Sequence, residues 1–269
     1  MKNCFGDRIL ADKVAFIAGG SSGINLGIAE RLAEQGALVA LLSRKPEKVQ
    51  AAADDLIAKG YRAMAIAADV RDYAAIEAAF VQVKNAHGPI DSVVSGAAGN
   101  FLAPTVALSA NAFKTVVDID LLGTFNVFRA SFDHLRKPGA SHIAITAPQA
   151  VNPMAFQIHA CAAKAGVNMV TRCLALEWGP AGIRVNGISP GPIAETEGMA
   201  RLSPTPEAEA AFKQSIPLRA YGTKADIAEM ALYLACDASR YVTGAILDCD
   251  GGWSLGDASA DALTVPTRG

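Results

Sequence analysis

A glycine-rich run, AGGSSGINLGIAE, occupies residues 18–30, directly after the apolar VAFIAG and ahead of a segment of helical composition. A turn placed between strand and helix can aim backbone N–H groups and a helix N-terminus at a diphosphate. Gly19 permits the tight turn and Gly23 lets the backbone approach the anion. Gly19, Gly20, Ser21, Ser22, Gly23 and Ile24 are therefore a candidate dinucleotide cradle. The second apolar run ends in Ser43, Arg44 and Lys45. An acidic residue there would accept the ribose hydroxyls of NAD, whereas cations suit a 2′-phosphate, so the expected cofactor is NADPH. Asp69 closes the third run. Its carboxylate can accept the adenine amino group or, alternatively, cap the following helix.

These residues need elements to hold them. Short apolar runs recur at 14–19, 37–43, 63–70, 92–99, 142–146, 184–189 and 245–252, seven in all. Runs this short and apolar on both faces suit buried parallel strands. Segments of helical length lie between them, among them 27–35, 46–59, 73–87 and 164–178. The alternation predicts one α/β domain over 1–269, a doubly wound Rossmann sheet of about seven parallel strands with helices on both faces. Residues 192–217, with Pro204, Pro206, Pro217 and four glutamates, break the rhythm and read as a mobile substrate lid or as a plain surface loop with a short helix. The polar tail, 256–269, is expected to fray.

Composition narrows the function classes. The 269 residues are 51% hydrophobic and 19% charged, which excludes a disordered chain. A net charge of −2 argues against a nucleic-acid partner, and no apolar run approaches the roughly 20 residues of a membrane span. The first 13 residues hold no apolar signal core. Five cysteines, Cys4, Cys161, Cys173, Cys236 and Cys249, form no C-x-x-C pair. Neither a disulfide framework nor a metal site is expected, and a cytoplasmic setting fits best. Thr267-Arg268-Gly269 does not resemble a peroxisomal address.

From Val14 to Trp253 the chain resembles the short-chain dehydrogenase/reductase superfamily. The likeness rests on the glycine-rich turn, Asp69-Val70, the SGAAG of 95–99, Lys164, Pro190-Gly191 and the DGG of 250–252. It implies cofactor contacts from Asp69, Val70, Ala97, Ala98, Gly99, Lys164, Pro190, Gly191 and Ile193. Asn25 stands where the superfamily usually has a third glycine, and should restrict how closely helix and diphosphate approach. The superfamily usually carries Tyr-x-x-x-Lys with an upstream Ser. Here Ala160 precedes Lys164 by four residues and Ala147 takes the Ser position. Neither can donate a proton to a carbonyl oxygen. The enoyl-reductase variant, with Tyr seven residues before the Lys, also fails, since that residue is Gln157.

The segment 97–130, AAGNFLAPTVALSANAFKTVVDIDLLGTFNVFRA, resembles the peroxisomal-type 2,4-dienoyl-CoA reductases of that superfamily, as do His159-Ala160, EWGP at 177–180 and PGPI followed by TEG. In that group an Asp replaces the usual helix Asn, which matches Asp120. The resemblance implies reduction of 2,4-dienoyl-CoA to 3-enoyl-CoA in unsaturated fatty acid oxidation. Hydride adds at C5, charge spreads to the thioester oxygen, donors there lower the barrier, and a proton reaches the α-carbon. Asp120 is the candidate acid, directly or through water, if burial keeps it protonated; the alternative is a carboxylate that only pairs with Lys164. Asp118, two residues away on a helix, should face elsewhere. His159, one residue out of phase with the missing Tyr, should also point away. Arg44, Arg71 and Arg201 match arginines expected near coenzyme A phosphates, the alternative for each being a solvated surface cation, and Phe101, Ser109, Ala110 and Asn111 match the acyl-CoA path. Competing readings are a reductase of another conjugated carbonyl and a dead NADP-binding protein. The helix after Lys164, with Val167, Val170, Leu174 and Leu176, carries excess apolar surface and points to a homo-oligomer, a tetramer by resemblance.

Overall fold

The computed structural model describes residues 5–196, 199, 203 and 205–260. Among them, seven strands build one sheet: β1 (Val14–Ala18), β2 (Leu38–Ser43), β3 (Arg62–Ala67), β4 (Ser92–Ser95), β5 (Ser141–Ile145), β6 (Arg184–Pro190) and β7 (Ile246–Cys249). Their order is β3-β2-β1-β4-β5-β6-β7, and every neighbouring pair is parallel. The expected doubly wound sheet is therefore present. The chain reverses direction across the sheet between β1 and β4, and a crevice opens at such a switch point.

Strand residues alternate between two cores, one per face. In β1, Ala15 and Ile17 join Ile28, Leu32, Leu41, Ile188 and Leu232 on one side. Val14, Phe16 and Ala18 join Leu42, Phe80, Val93, Phe128 and Trp178 on the other. Phe16 stacks on Phe80 with ring centroids 4.1 Å apart. Both faces being covered explains why the strands read as continuous apolar runs.

The flanking helices are α1 (Gly23–Glu34), α2 (Pro46–Ala58), α3 (Tyr73–His87), α4 (Ala110–Val117), α5 (Gly123–Ser131), α6 (Ile158–Trp178), α7 (Pro206–Ser215) and α8 (Lys224–Ala235). Two bounds differ from expectation in a way that matters. The first helix begins at Gly23 rather than at residue 27, so the glycine-rich turn runs straight into its first turn. The long helix begins at Ile158, so Lys164 lies inside it rather than at its start. Between α4 and α5 the backbone widens into a π-helical turn, Asp118–Leu122. Such turns re-aim side chains and occur often at functional sites. The span 192–217 contains α7, capped by Thr205, whose hydroxyl accepts the Ala208 N–H at 3.2 Å. Of the polar tail, residues 256–260 lack regular structure and the remainder lies outside the described residues.

Candidate active site

A cleft of about 910 Å³ opens beyond the carboxyl ends of β1 to β6. Gly19 turns the chain there at φ +82°, and a Cβ at this position would sit 2.8 Å from the Ala97 backbone nitrogen. Only glycine lets the turn and the loop after β4 come this close. Gly23 adopts φ +61° and faces open space. The N-cap residue of α1, Ser22, makes no side-chain cap. By contrast, Asp72, Ser109 and Thr223 each accept an N–H at the start of their own helices. The first-turn N–H groups of α1 are thus left to an outside acceptor, and the cradle fits a dinucleotide diphosphate.

Ser21, Ser22, Gly23, Ile24, Ser43, Arg44, Asp69, Val70, Ala97, Ala98, Pro190, Gly191 and Ile193 line this cleft with Gly19. Ser21 Oγ donates to Ser43 Oγ at 3.0 Å, tying the turn to the end of β2. Asn25 does more than restrict approach. Its Nδ2 donates to Gly96 O at 2.8 Å and to Gly19 O at 3.4 Å, so the side chain bridges the turn and β4 from beneath.

Three of the expected cofactor residues stand off the wall. Gly20 is buried, its α-carbon facing Ile17 O and the Leu41 side chain. Lys45 is the exposed N-cap residue of α2. Gly99 turns its N–H to Asp120 Oδ1 at 2.7 Å, which makes it a support for the acid rather than a contact of the cleft. Asp69 is not a helix cap, because Asp72 caps α3 by accepting the Ala75 N–H. Asp69 instead takes a two-pronged clamp from Arg71, with Nε to Oδ1 at 3.0 Å and Nη2 to Oδ2 at 2.6 Å. The Arg71 guanidinium holds this carboxyl below its ordinary pKa.

The π turn separates the two aspartates. Asp118 faces outward and pairs with Lys114. Asp120 is 1% exposed, its Oδ2 3.2 Å from Lys164 Nζ. Lys164 donates in addition to Ile145 O at 3.0 Å and reaches the cleft wall, which Asp120 does not. The acid expected to touch substrate thus sits one layer back, behind the ammonium. Ala147 lines the cleft and Ala160 is buried, so the two missing hydroxyls are missing in space as well as in sequence. His159 is fully buried, stacks on Phe101 at 4.4 Å, and its Nε2 lies 3.1 Å from Phe101 O. It points away from the cleft, as its phase requires.

Of the residues expected along the acyl-CoA path, Arg71, Phe101, Ser109, Ala110 and Asn111 do not line the cleft. Arg71 is committed to Asp69, Phe101 packs over His159, and Ser109 accepts the Ala112 N–H at 3.1 Å as the N-cap of α4. Ala110 and Asn111 are exposed on the first turn of that helix. Arg201 lies outside the described residues. Arg44 alone of this group reaches the cleft.

Other residues complete the wall without having been read from the sequence: Thr146, Gln149, Met154, Lys224 and Trp253, and from the span 192–217 also Glu195, Thr196, Met199 and Phe212. Gln157, which the sequence marks only as the place of an absent Tyr, also lines the cleft. The aromatic residues Phe212 and Trp253, 5.8 Å apart, meet across 41 residues of sequence, which no local pattern shows.

A profile of the family described as "Enoyl-(Acyl carrier protein) reductase" matches residues 18–254. The rat protein named peroxisomal 2,4-dienoyl-CoA reductase [(3E)-enoyl-CoA-producing] is 47% identical over 247 residues, covering 91% of this chain and 84% of its own. A short-chain dehydrogenase structure from Bacillus anthracis is 36% identical with a TM-score of 0.80, covering 90% of this chain and 96% of that one. The Burkholderia cenocepacia gluconate 5-dehydrogenase, solved with NADP and tartrate, is 29% identical with a TM-score of 0.85, covering 93% and 98%. By the extent of these matches, the chain belongs to the short-chain dehydrogenase/reductase family, in the group of the peroxisomal-type 2,4-dienoyl-CoA reductases.

Proposed function

We propose that this protein reduces 2,4-dienoyl-CoA thioesters to 3-enoyl-CoA with NADPH, in the oxidation of unsaturated fatty acids. The observation that carries the reading is the buried Asp120–Lys164 pair beside Ala147 and Ala160. A site without a hydroxyl acid is poorly suited to alcohol–ketone exchange, and a carboxyl–ammonium pair suits proton delivery to carbon. The names of the curated relatives support the same substrate class. Exposed Arg44 on the cleft, with no acidic residue at the end of β2, supports a 2′-phosphate.

When bound, NADPH supplies the hydride that adds at C5 of the dienoyl chain. The chain's own residues handle the charge and the proton. Lys164, anchored by Ile145 O, keeps positive charge at the wall. Asp120, anchored by the Gly99 N–H and closed off from the cleft, holds that ammonium in place; the pair gives up one proton, which leaves from the Lys164 side, directly or through a water, and ends on the α-carbon. The product keeps its double bond between C3 and C4. From the span 192–217, Met199 and Phe212 give the cleft an apolar wall suited to the acyl chain.

The test is NADPH oxidation by purified protein with dienoyl-CoA esters of several lengths, and location of the double bond in the product. Tight NADPH binding without turnover of any length would overturn the reading in favour of a nucleotide-binding protein. Turnover of free enones alone would favour another conjugated carbonyl.

Self-association is part of the proposal. Val167 belongs to the core and Val170 and Leu174 are half-buried, so the apolar surface of α6 is smaller than the sequence suggests. Ile158, Met169 and Leu176 nevertheless stay exposed, with Leu122 and Phe125 nearby in sequence on the preceding helical stretch. A tetramer would bury such faces, and light scattering measures it. Cytoplasmic placement is likewise proposed, on the free thiols of Cys161, Cys173, Cys236 and Cys249. Imaging of the full-length protein tests it against the peroxisomal placement in the relatives' names.

A further inference from the structure

In the reaction proposed above, on which this inference rests, negative charge gathers on the thioester oxygen. Ala147 and Ala160 offer it no side-chain donor. Neighbouring side-chain donors in that wall are wholly or largely engaged, Lys164 with two of its three N–H groups. Thr146 Oγ1 donates to Asn168 Oδ1 at 2.7 Å. Lys164 Nζ is held by Ile145 O and Asp120. Gln149 Nε2 donates to Gln157 Oε1 at 3.3 Å.

Gln157 is different. It precedes the first turn of α6, is 7% exposed, and lines the cleft together with Gln149, Met154 and Lys164. Its Oε1 accepts from two amides, Gln149 and Asn100, the latter at 2.7 Å. Two donors converging on one oxygen use both of its lone pairs. The opposite end, Nε2, has as its hydrogen-bond partner among the described residues only Met154 Sδ, at 3.8 Å. A thioether is a weak acceptor, so a strong donor is nine-tenths buried at the cleft with no strong partner.

We propose that the Gln157 amide donates to the thioester oxygen of the bound acyl-CoA and stabilises the charge formed there. Gln149 and Asn100 are positioning residues that hold its oxygen. A neutral amide strengthens its hydrogen bond as the oxygen becomes charged, with no proton transfer and no motion of its own. It thereby separates two tasks: Gln157 serves the oxygen, and the Asp120–Lys164 pair serves the carbon.

The test uses Gln157→Glu and Gln157→Leu in the full-length protein, read in two ways. The first is the infrared carbonyl stretch of a carbonyl-labelled 2-enoyl-CoA bound with NADP⁺, which needs no turnover. The wild-type protein should lower this frequency relative to free thioester, and both variants should abolish the shift. The second is steady-state reduction of a dienoyl-CoA, where losing one such donor should lower kcat by about 10²- to 10³-fold, with NADPH affinity unchanged by calorimetry. Gln157→Glu keeps both accepted hydrogen bonds, so it carries the test even if Gln157→Leu folds poorly. A carbonyl frequency equally shifted in wild type and Gln157→Glu, or kcat unchanged in that variant, overturns the proposal. Absence of dienoyl-CoA turnover in the wild type would instead overturn the substrate reading and leave the infrared result to judge the donor.

Discussion

Replacing Asp120 separates its structural role from its chemical one. Its carboxylate is 1% exposed and Lys164 is 8% exposed, with 3.2 Å between Oδ2 and Nζ. Asp120→Ala leaves the ammonium buried with Ile145 O but without its counter-charge, and also orphans the Gly99 N–H. Breaking one side of a buried pair costs about 3–5 kcal/mol. At roughly 2–4 °C per kcal/mol for a chain of this size, Tm should fall by about 6–20 °C. Asp120→Asn retains an acceptor for Gly99 and the side-chain volume, so it should recover part of that loss. It cannot feed a proton, and both variants should lower kcat by about 10²-fold or more. Thermal unfolding by circular dichroism gives the first quantity, NADPH oxidation with dienoyl-CoA the second, and calorimetry shows whether NADPH still binds. An Asn variant with wild-type kcat, or one altered only in KM, would refute the proton-delivery role.

Arg44→Ala removes the cation on the cleft wall, and the loss of a charge-assisted hydrogen bond of about 1.5–3 kcal/mol should cut the preference for NADPH over NADH by roughly 10- to 150-fold; an unchanged ratio of kcat/KM values would move the 2′-phosphate elsewhere. Gly19→Ala places a Cβ 2.8 Å from the Ala97 nitrogen at φ +82°, so it should weaken NADPH binding and lower Tm together, and a variant with intact affinity by calorimetry would contradict the close approach of turn and loop. Burial pushes His142, against Ser131, Phe128 and Trp178, down to about 3. The unfolded chain therefore binds the extra proton first, and stability present above about pH 6.5 is lost as pH falls towards 3, by up to about 5 kcal/mol. Tm against pH should slope accordingly, and His142→Gln should flatten the slope; parallel curves would place the acid sensitivity in other groups.

Local pattern made most of the fold legible. Apolar runs of strand length, a glycine-rich turn in the right place and Ala-rich helical spacers are properties of short windows, and they predict the parallel sheet and its cofactor crevice because both faces of each strand must be covered. The same windows misplaced the start of α1 by four residues and that of α6 by six, since glycine and a non-periodic apolar stretch carry weak local signals against the packing that extends a helix over the sheet. The π turn at Asp118–Leu122 was not legible at all, because it is a backbone register set by the helices packed around it.

By itself, the sequence determined the side-chain chemistry: no hydroxyl at Ala147 or Ala160, a lysine at 164, a carboxyl at 120, and cations rather than acid after β2. Composition is fixed along the chain, and no fold can restore a missing functional group. Tertiary structure alone decided which groups meet. It set Asp120 behind Lys164, spent Arg71 on Asp69, used Ser109 as a helix cap, and brought Asn100, Gln149 and Gln157 to one oxygen-centred cluster. Those outcomes depend on how loops from different strand ends pack at the switch point, and distance in space between residues far apart in the chain has no imprint in a single sequence.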